Sequence, residues 1–197
     1  KLENPKVKLN NSSTEIWFFF IEDKIICGKK IYKRQEKFHL RRPDLRPGFF
    51  PVSLKPKLAR GLVNLSGVKQ GTIYDPFCGT GGMLLEAALM GLKVKGSDLD
   101  ATMVAAAKKN FKEYKVEGEL KVADARTENI QCDAIVTDPP YGRRASLKKA
   151  TIKELYESFL DNVYDTVDTV VIMMPHTLNI ETKYKITFHT EEYIHAT

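Results

Sequence analysis

The sequence predicts an α/β protein built on a mostly parallel sheet. Its central part alternates apolar runs of strand length with apolar or amphipathic runs of helix length. This alternation is typical of parallel strands joined by right-handed helical crossovers. Four of the predicted strands also end at an aspartate, at the edge where open α/β sheets bind their ligands.

The composition is that of an ordinary globular chain of 197 residues, with 43% hydrophobic and 28% charged residues. No apolar run is long enough to span a bilayer. The three cysteines are widely spaced and form no CxxC pair, so we predict neither a disulfide framework nor a metal site. Free cysteines favour a reducing compartment, and we expect a cytoplasmic protein. The formal net charge of +6 suggests an anionic partner.

The positive charge is concentrated near the N-terminus. Two β-rich runs, 15–21 and 25–28, flank a short polar turn and predict a hairpin. Residues 29–60, called the basic segment below, then contain eleven basic and two acidic residues with aromatic residues interleaved. This pattern fits a nucleic-acid interface. It fits a solvated linker equally well, and both interpretations stay open.

Four proline and glycine residues between 43 and 51 predict a linker over residues 41–52. Ser53 is predicted to cap the following helix, whose leucines share one face and which ends at Ser66-Gly67. Lys55, Lys57 and Arg60 lie off that apolar stripe.

The remaining elements follow in a regular order. We predict strands at 72–75, 94–98, 119–124, 134–137 and 170–174, helices at 81–90, from Asp100 to about 111 and from a capping box at Thr151, and edge strands at 184–188 and from 193 onward.

The turn after the first of these strands reads DPFCGTGG, residues 75–82. Gly79 and Gly81 allow a sharp turn and the close approach of a ligand. The third glycine of a dinucleotide fingerprint is absent because position 84 is Leu84, and no P-loop Gly-Lys-Ser/Thr follows. The turn is therefore not predicted to cradle a pyrophosphate, and it fits equally a plain connection between a strand and a helix.

The acids at the strand ends predict a ligand site. Asp98 is placed to accept hydrogen bonds from two ribose hydroxyls, and Asp124 ends the next strand beside the same crevice. Asp138 opens the rigid turn DPPYG, which holds acceptors beside an aromatic ring. Together they predict a nucleoside site without phosphate contacts, next to a site for an amino group on a planar base.

Four motifs, DPFCGTGG, GSDLD, VADA and DPPYG, occur in that order and resemble those of S-adenosylmethionine-dependent amino-methyltransferases. The closer resemblance is to tRNA guanosine-N2 methyltransferases that carry a THUMP RNA-binding domain, because RRPDLRPGFFPVSLKPKLARGLVNLSG looks like the linker and first helix of their catalytic domain. The resemblance implies a Rossmann-like, seven-stranded methyltransferase fold at 53–197, a linker at 41–52 and the remnant of a THUMP-like domain at 1–40.

The resemblance also implies a role for each site residue. The methyl group would pass from S-adenosylmethionine to guanosine N2 of a tRNA, at position 10. Catalysis would rest on Asp138, Pro139, Pro140 and Tyr141. The cofactor would be bound by Asp75, Phe77, Gly79, Thr80, Gly81, Asp98, Leu99, Asp124, Ala125 and Asp138. RNA would be held by Lys55, Lys57, Arg60, Arg143, Arg144 and Lys148.

Other functions stay open at this point. DPPY-type turns also serve adenine N6 in DNA and guanine N2 in ribosomal RNA, and a non-catalytic RNA-binding scaffold could keep the fold. Asp138 in place of Asn leads away from the related glutamine-modifying enzymes. The expected partner is tRNA, with a monomeric catalytic domain and no membrane. The need for a small activating subunit is left open.

Overall fold

The computed structural model describes residues 12–32, 36–51, 53–141 and 149–191. The chain divides into two compact units, Lys1–Lys37 and Phe38–Thr197. None of the helices among the described residues has the length and apolar character needed to cross a membrane.

The first unit contains the predicted hairpin. Strands β1 (Ile16–Ile21) and β2 (Lys24–Lys29) pair antiparallel, with Ile21 opposite Lys24 at the closed end. Glu22, in the two-residue loop, has a positive φ of 51°, as a tight hairpin turn requires. Both strands are exposed along their whole length.

The second unit alternates strands and helices as predicted. Its elements are two 3₁₀ turns (Phe38–Arg41 and Pro43–Leu45), α1 (Pro56–Leu65), β3 (Thr72–Asp75), α2 (Gly82–Ala88), β4 (Lys93–Asp98), α3 (Ala101–Glu113), β5 (Glu119–Val122), β6 (Ala134–Thr137), α4 (Lys149–Val163) and β7 (Val170–Ile172).

Five parallel strands form one sheet in the order β5-β4-β3-β6-β7. The chain builds outward from β3 through β4 to β5, and then restarts on the other side with β6 and β7. The switch point therefore lies between β3 and β6, where doubly wound sheets open a crevice at the carboxyl ends of their strands. The α/β prediction is confirmed, and the described part of the sheet contains five of the seven strands that the resemblance implies.

Hydrophobic clusters cover the two faces of this sheet. One gathers residues of α1, α2 and α3, including Val63, Leu84 and Phe111. The other packs α4 against the sheet through Phe159 and Val163. Because α2 is apolar almost all round, its residues 82–87 are all buried, as predicted.

Several predicted details differ from the structure. Ser53 does not cap α1; Lys55 occupies that position and Pro56 is the first helical residue, because its fixed φ suits a helix start. The helix predicted from Thr151 begins two residues earlier, at Lys149. The edge strand predicted at 184–188 is wrong, since these residues lie outside any strand or helix; the one from 193 lies outside the described residues. Asp100 does cap α3, through a bond from the Thr102 N–H.

Candidate functional site

Four carboxylates stand along one edge of the sheet. In the spatial order of the strands they are Asp124 after β5, Asp98 at the end of β4, Asp75 at the end of β3 and Asp138 after β6. We call this set the acid row. Parallel strands carry their carboxyl ends to the same edge, which is why residues up to 63 positions apart in the chain become neighbours.

The glycine turn between β3 and α2 borders the acid row. Gly79 and Gly81 have φ values of 50° and 77°, the left-handed region that favours glycine. A Cβ on Gly81 would press within about 3 Å of Phe111 and Ala107, so this glycine permits the packing of α3. A Cβ on Gly79 would meet nothing within 4 Å, so the backbone there borders open space beside Asp98.

Asp75 lies buried at the topological switch point. Its Oδ1 accepts hydrogen bonds from Thr137 Oγ1 at 2.6 Å and from the Phe77 N–H at 3.1 Å. Burial raises the pKa of Asp75 to about 7, with a further contribution from the charges of Asp138 and Asp98. The fold therefore places Asp75 within electrostatic range of Asp98 and Asp138, two of the other predicted acids.

Asp98 joins the glycine turn to β4. Its Oδ2 accepts from the Gly79 N–H at 2.8 Å and its Oδ1 from the Asp100 N–H at 2.9 Å. Burial raises the pKa of Asp98 while these two bonds oppose the rise. Each oxygen keeps a further lone pair for a ligand. Leu99, at 70% exposure, borders the same place with an apolar surface.

Asp124 has a different environment. Arg126 clamps its carboxylate, with Nε 2.9 Å from Oδ1 and Nη2 2.6 Å from Oδ2. These hydrogen bonds lower the pKa of Asp124. Its neighbour Ala125 is buried in the α4-side cluster, so the loop at this point is anchored.

Asp138 lies at the start of the Pro-Pro turn, beside an aromatic pair. The Tyr141 hydroxyl donates a short hydrogen bond to Asp138 Oδ1. Burial raises the pKa of Asp138 to about 6, and the bond from Tyr141 opposes the rise. Tyr156 of α4 donates weakly to the carbonyl of the buried Pro139 at 3.4 Å, which ties the turn to the core.

The predicted RNA-binding residues fall into three groups. Lys55, which precedes α1, and Lys57 in its first turn are both exposed. The Nη2 atom of Arg60 instead lies 3.1 Å from Glu86 Oε2, and the Arg60 side chain is only 14% exposed. Its guanidinium therefore pairs with a buried carboxylate inside the protein. Arg143, Arg144 and Lys148 lie outside the described residues.

Sequence reasoning missed the polar side chains that support the acids. Thr137 was detectable, because it is the one polar residue ending an apolar strand. Glu128, Ser97 and Asn110 carried no such signal, although all three are buried. Asn110 of α3 donates to the Gly48 and Thr80 carbonyls and accepts from the Gly48 N–H, which links Gly48 to the glycine turn.

A comparison with known protein families gives a match over most of the second unit, residues 38–197. Residues 43–194 match UPF0020, described as the RMKL-like methyltransferase domain.

Curated relatives match nearly the whole chain. It is 42% identical over 184 residues to the tRNA (guanine(10)-N2)-dimethyltransferase of Methanothermobacter thermautotrophicus, covering 89% of this chain and 55% of the relative. It is 38% identical over 175 residues to the enzyme of that name from Methanocaldococcus jannaschii, covering 82% of this chain and 50% of the relative. The chain thus spans about half the length of these relatives.

Among solved structures, a possible methylase from Clostridium difficile 630 superposes with a TM-score of 0.61 at 20% identity. The match covers 87% of this chain and 56% of the other. At this identity the likeness concerns the fold, and it agrees with the doubly wound sheet described above.

Proposed function

Because the chain belongs to the RMKL-like methyltransferase domain family, UPF0020, we propose that it is the catalytic part of a tRNA methyltransferase. The methyl group of S-adenosylmethionine would be transferred to the exocyclic N2 of guanosine, at position 10. The relatives named for this reaction support the choice of substrate. The hairpin unit would be the end of a THUMP-like RNA-binding domain.

The acid row is the observation that carries this proposal. Three acids follow one another across the sheet, and the fourth stands where the Pro-Pro turn begins. Burial raises the pKa of three of them, and the charges of Asp138 and Asp98 raise that of Asp75 further. Carboxylates held in such unfavourable surroundings are typical of functional sites, since a structural role does not require the strain.

The residues at this edge fit the cofactor. Asp98 keeps lone pairs for the two ribose hydroxyls, and the open space beside Gly79 leaves room for a ligand next to the backbone. Leu99 offers an apolar surface for the adenine ring. Asp124 would accept from the adenine amino group, sharing its carboxylate with Arg126. When bound, S-adenosylmethionine supplies the electrophilic methyl group.

Asp138 and the carbonyl of Pro139 would accept the two N–H bonds of the guanine amino group. The N2 lone pair is delocalised into the base, so the amino group is a poor nucleophile. Two acceptors aimed at its hydrogens favour a pyramidal nitrogen whose lone pair points at the methyl group. Asp138 would stabilise the positive charge that develops on nitrogen and would accept the proton that the methylated amino group must lose, and the rigid Pro-Pro turn would contribute orientation.

Tyr141 would stack on the extruded base. Its hydroxyl donates a hydrogen bond to Asp138 and would thereby orient the carboxylate for the amino group. Lys55 and Lys57, with Arg143, Arg144 and Lys148, would hold phosphates. We leave Arg60 out of this surface because it is paired with Glu86. The reaction would take place in the cytoplasm.

Nucleoside mass spectrometry tests the proposal. The full-length protein is incubated with S-adenosylmethionine and tRNA, and with a transcript carrying adenosine in place of G10. We expect methylated N2-guanosine in the first and none in the second. Asp138→Ala, which removes the acid proposed to bind the amino group, is measured in the same assay. Its matched control is Asp161→Ala, which removes an exposed carboxylate paired with Lys183. Methylation of adenosine N6, or of ribosomal RNA alone, would contradict the proposal.

A further inference from the structure

A buried carboxylate that the proposed chemistry does not use lies behind the acid row. Glu128, in the loop between β5 and β6, receives hydrogen bonds from the Tyr74 hydroxyl and from Ser97 Oγ at 2.5 Å. Lys121 Nζ adds an ion pair at 2.8 Å. Among the described residues, no other carboxylate collects donors from three strands.

These donors are the neighbours of the proposed site residues. Tyr74 immediately precedes Asp75 on β3, and Ser97 immediately precedes Asp98 on β4. Successive strand residues point to opposite faces of a sheet. Glu128 therefore contacts β3 and β4 on the face of the sheet opposite to the side chains of Asp75 and Asp98. Burial raises the pKa of Tyr74, so its hydroxyl stays protonated and donates.

The same residue closes the loop that carries Asp124 and Ala125. The Glu128 N–H donates to the Asp124 carbonyl at 3.0 Å, which makes residues 124–128 one tight turn. Asn162 of α4 donates to the carbonyls of Ala125 and Glu128 at 3.0 and 2.8 Å. The backbone of the turn is thus held by α4, while the Glu128 side chain links the turn to β3 and β4.

We propose that Glu128 is a positioning residue that sets the place of the Asp124–Ala125 turn and thereby the affinity for the nucleoside half of the cofactor. The inference rests on the proposed use of S-adenosylmethionine and deepens it. A carboxylate suits the task because both of its oxygens accept, one facing Tyr74 and Lys121 and the other facing Ser97. A glutamine would turn a donor toward one of these groups.

A merely structural carboxylate would behave differently. Its loss would lower the melting temperature, yet the protein that remained folded would bind its ligand normally. A positioning residue changes the affinity of the folded protein and the order of one loop. Affinity and local order, measured well below the melting temperature of each variant, therefore separate the two roles.

The experiment compares Glu128→Gln with the wild type in the full-length protein. Calorimetry is run with S-adenosylhomocysteine and with adenosine, which lacks the amino-acid half. We expect both dissociation constants to rise by about tenfold, the scale of a lost hydrogen bond to a charged group. Glu119→Gln is the matched control, because Glu119 forms an exposed ion pair with Lys95 across β4 and β5; it should bind normally.

Hydrogen exchange of the ligand-free protein gives a second readout. Amides of residues 124–128 should exchange faster in Glu128→Gln, while those of α2 should not change. Should that variant fail to fold, Tyr74→Phe and Ser97→Ala carry the test, since each keeps the carboxylate and removes one donor. Each should then weaken binding by a few-fold.

Affinities within twofold of the wild type in every folded variant would overturn the positioning role and leave Glu128 a stabilising residue. A wild-type protein that binds no S-adenosylhomocysteine would instead overturn the proposed cofactor, and the positioning role with it. Normal cofactor binding without tRNA methylation would contradict only the substrate, and the Glu128 result would still stand.

Discussion

The acid row and the basic segment are both dense clusters of charge, but the fold uses them in opposite ways. The acids stand at the carboxyl ends of neighbouring strands, and burial raises the pKa of three of them. Two arginines of the basic segment, Arg41 and Arg60, turn inward, whereas Arg42 is exposed. Arg41 donates to both oxygens of Glu86 at 2.6 and 3.0 Å, and the guanidinium stacks 4.7 Å from the Phe38 ring centre.

The difference shows how a functional charge is distinguished from a structural one. A charge whose hydrogen bonds are completed inside the protein has little left for a ligand. Glu86 is fully buried and is shared by Arg41 and Arg60. Asp138 is half-buried, and the hydrogen bond described for its carboxylate comes from a single neutral hydroxyl, that of Tyr141. The arginines paired with Glu86 therefore contribute to stability, whereas Asp138 is available for chemistry.

The largest expected effect comes from removing the anion that the arginines share. Glu86→Gln leaves Arg41 and Arg60 buried beside a neutral side chain, so we expect a loss of about 3–5 kcal/mol in the free energy of unfolding. Urea denaturation measures it. Asp44→Asn, which breaks the exposed pair with Arg42, should cost less than about 1 kcal/mol. Equal losses in the two variants would remove the contrast between interior and surface charge.

Asp138→Ala tests the other cluster. Its side chain faces the substrate, so the variant should fold and bind the cofactor, while methyl transfer falls by about two orders of magnitude or more. Single-turnover kinetics with tRNA and the full-length protein measure the decrease in the rate of methyl transfer. Near-normal turnover would show that the acid row does not carry the chemistry.

A smaller effect is expected from Tyr141→Phe, and it should appear in the pH dependence of the rate of methyl transfer. Asp138 must be ionised to accept the amino group, so the rate falls as the pH drops through its pKa, which burial raises to about 6. The Tyr141 hydroxyl lowers that pKa, so losing it should move the acid limb of the kcat/KM profile upward. On the alkaline plateau the rate should stay within about tenfold.

Asp75, whose pKa is about 7, titrates in the same range and lies near Asp138. It keeps its bonds from Thr137 and Phe77 in the Tyr141→Phe variant. An acid limb that did not move in this variant would therefore assign the limb to Asp75 instead of Asp138.

The smallest effect should come from the surface lysines. Lys55→Ala with Lys57→Ala should weaken tRNA binding of the full-length protein across sequences and reduce the salt slope by about one unit per lost phosphate contact. Stability should not change, because both side chains are exposed. Lys153→Ala, already paired with Glu157, is the control. Unchanged tRNA binding would indicate that the basic segment has a structural role and does not contact the RNA.

Much of the fold was predictable because its signals are local. Strands 72–75 and 134–137 were predicted at their observed bounds, since Gly or Asp precedes each apolar run and a turn follows it. The prediction of a strand at 184–188 was wrong. Apolar and polar residues alternate there, but among the described residues no neighbouring strand pairs with this stretch. Even the buried ion pair had a sign in the sequence, because Glu86 is the single charge in an otherwise apolar helix.

The sequence by itself determined the order of the elements and the placement of the acids, because hydrophobic period, prolines and glycines act within a few residues. Which charges meet solvent was decided only by the tertiary structure. Arg60 and Lys57 are three positions apart on one helix, yet one side chain pairs with Glu86 in the interior while the other is exposed. Burial depends on what packs against a face, and the partners here lie 26 or more residues away along the chain.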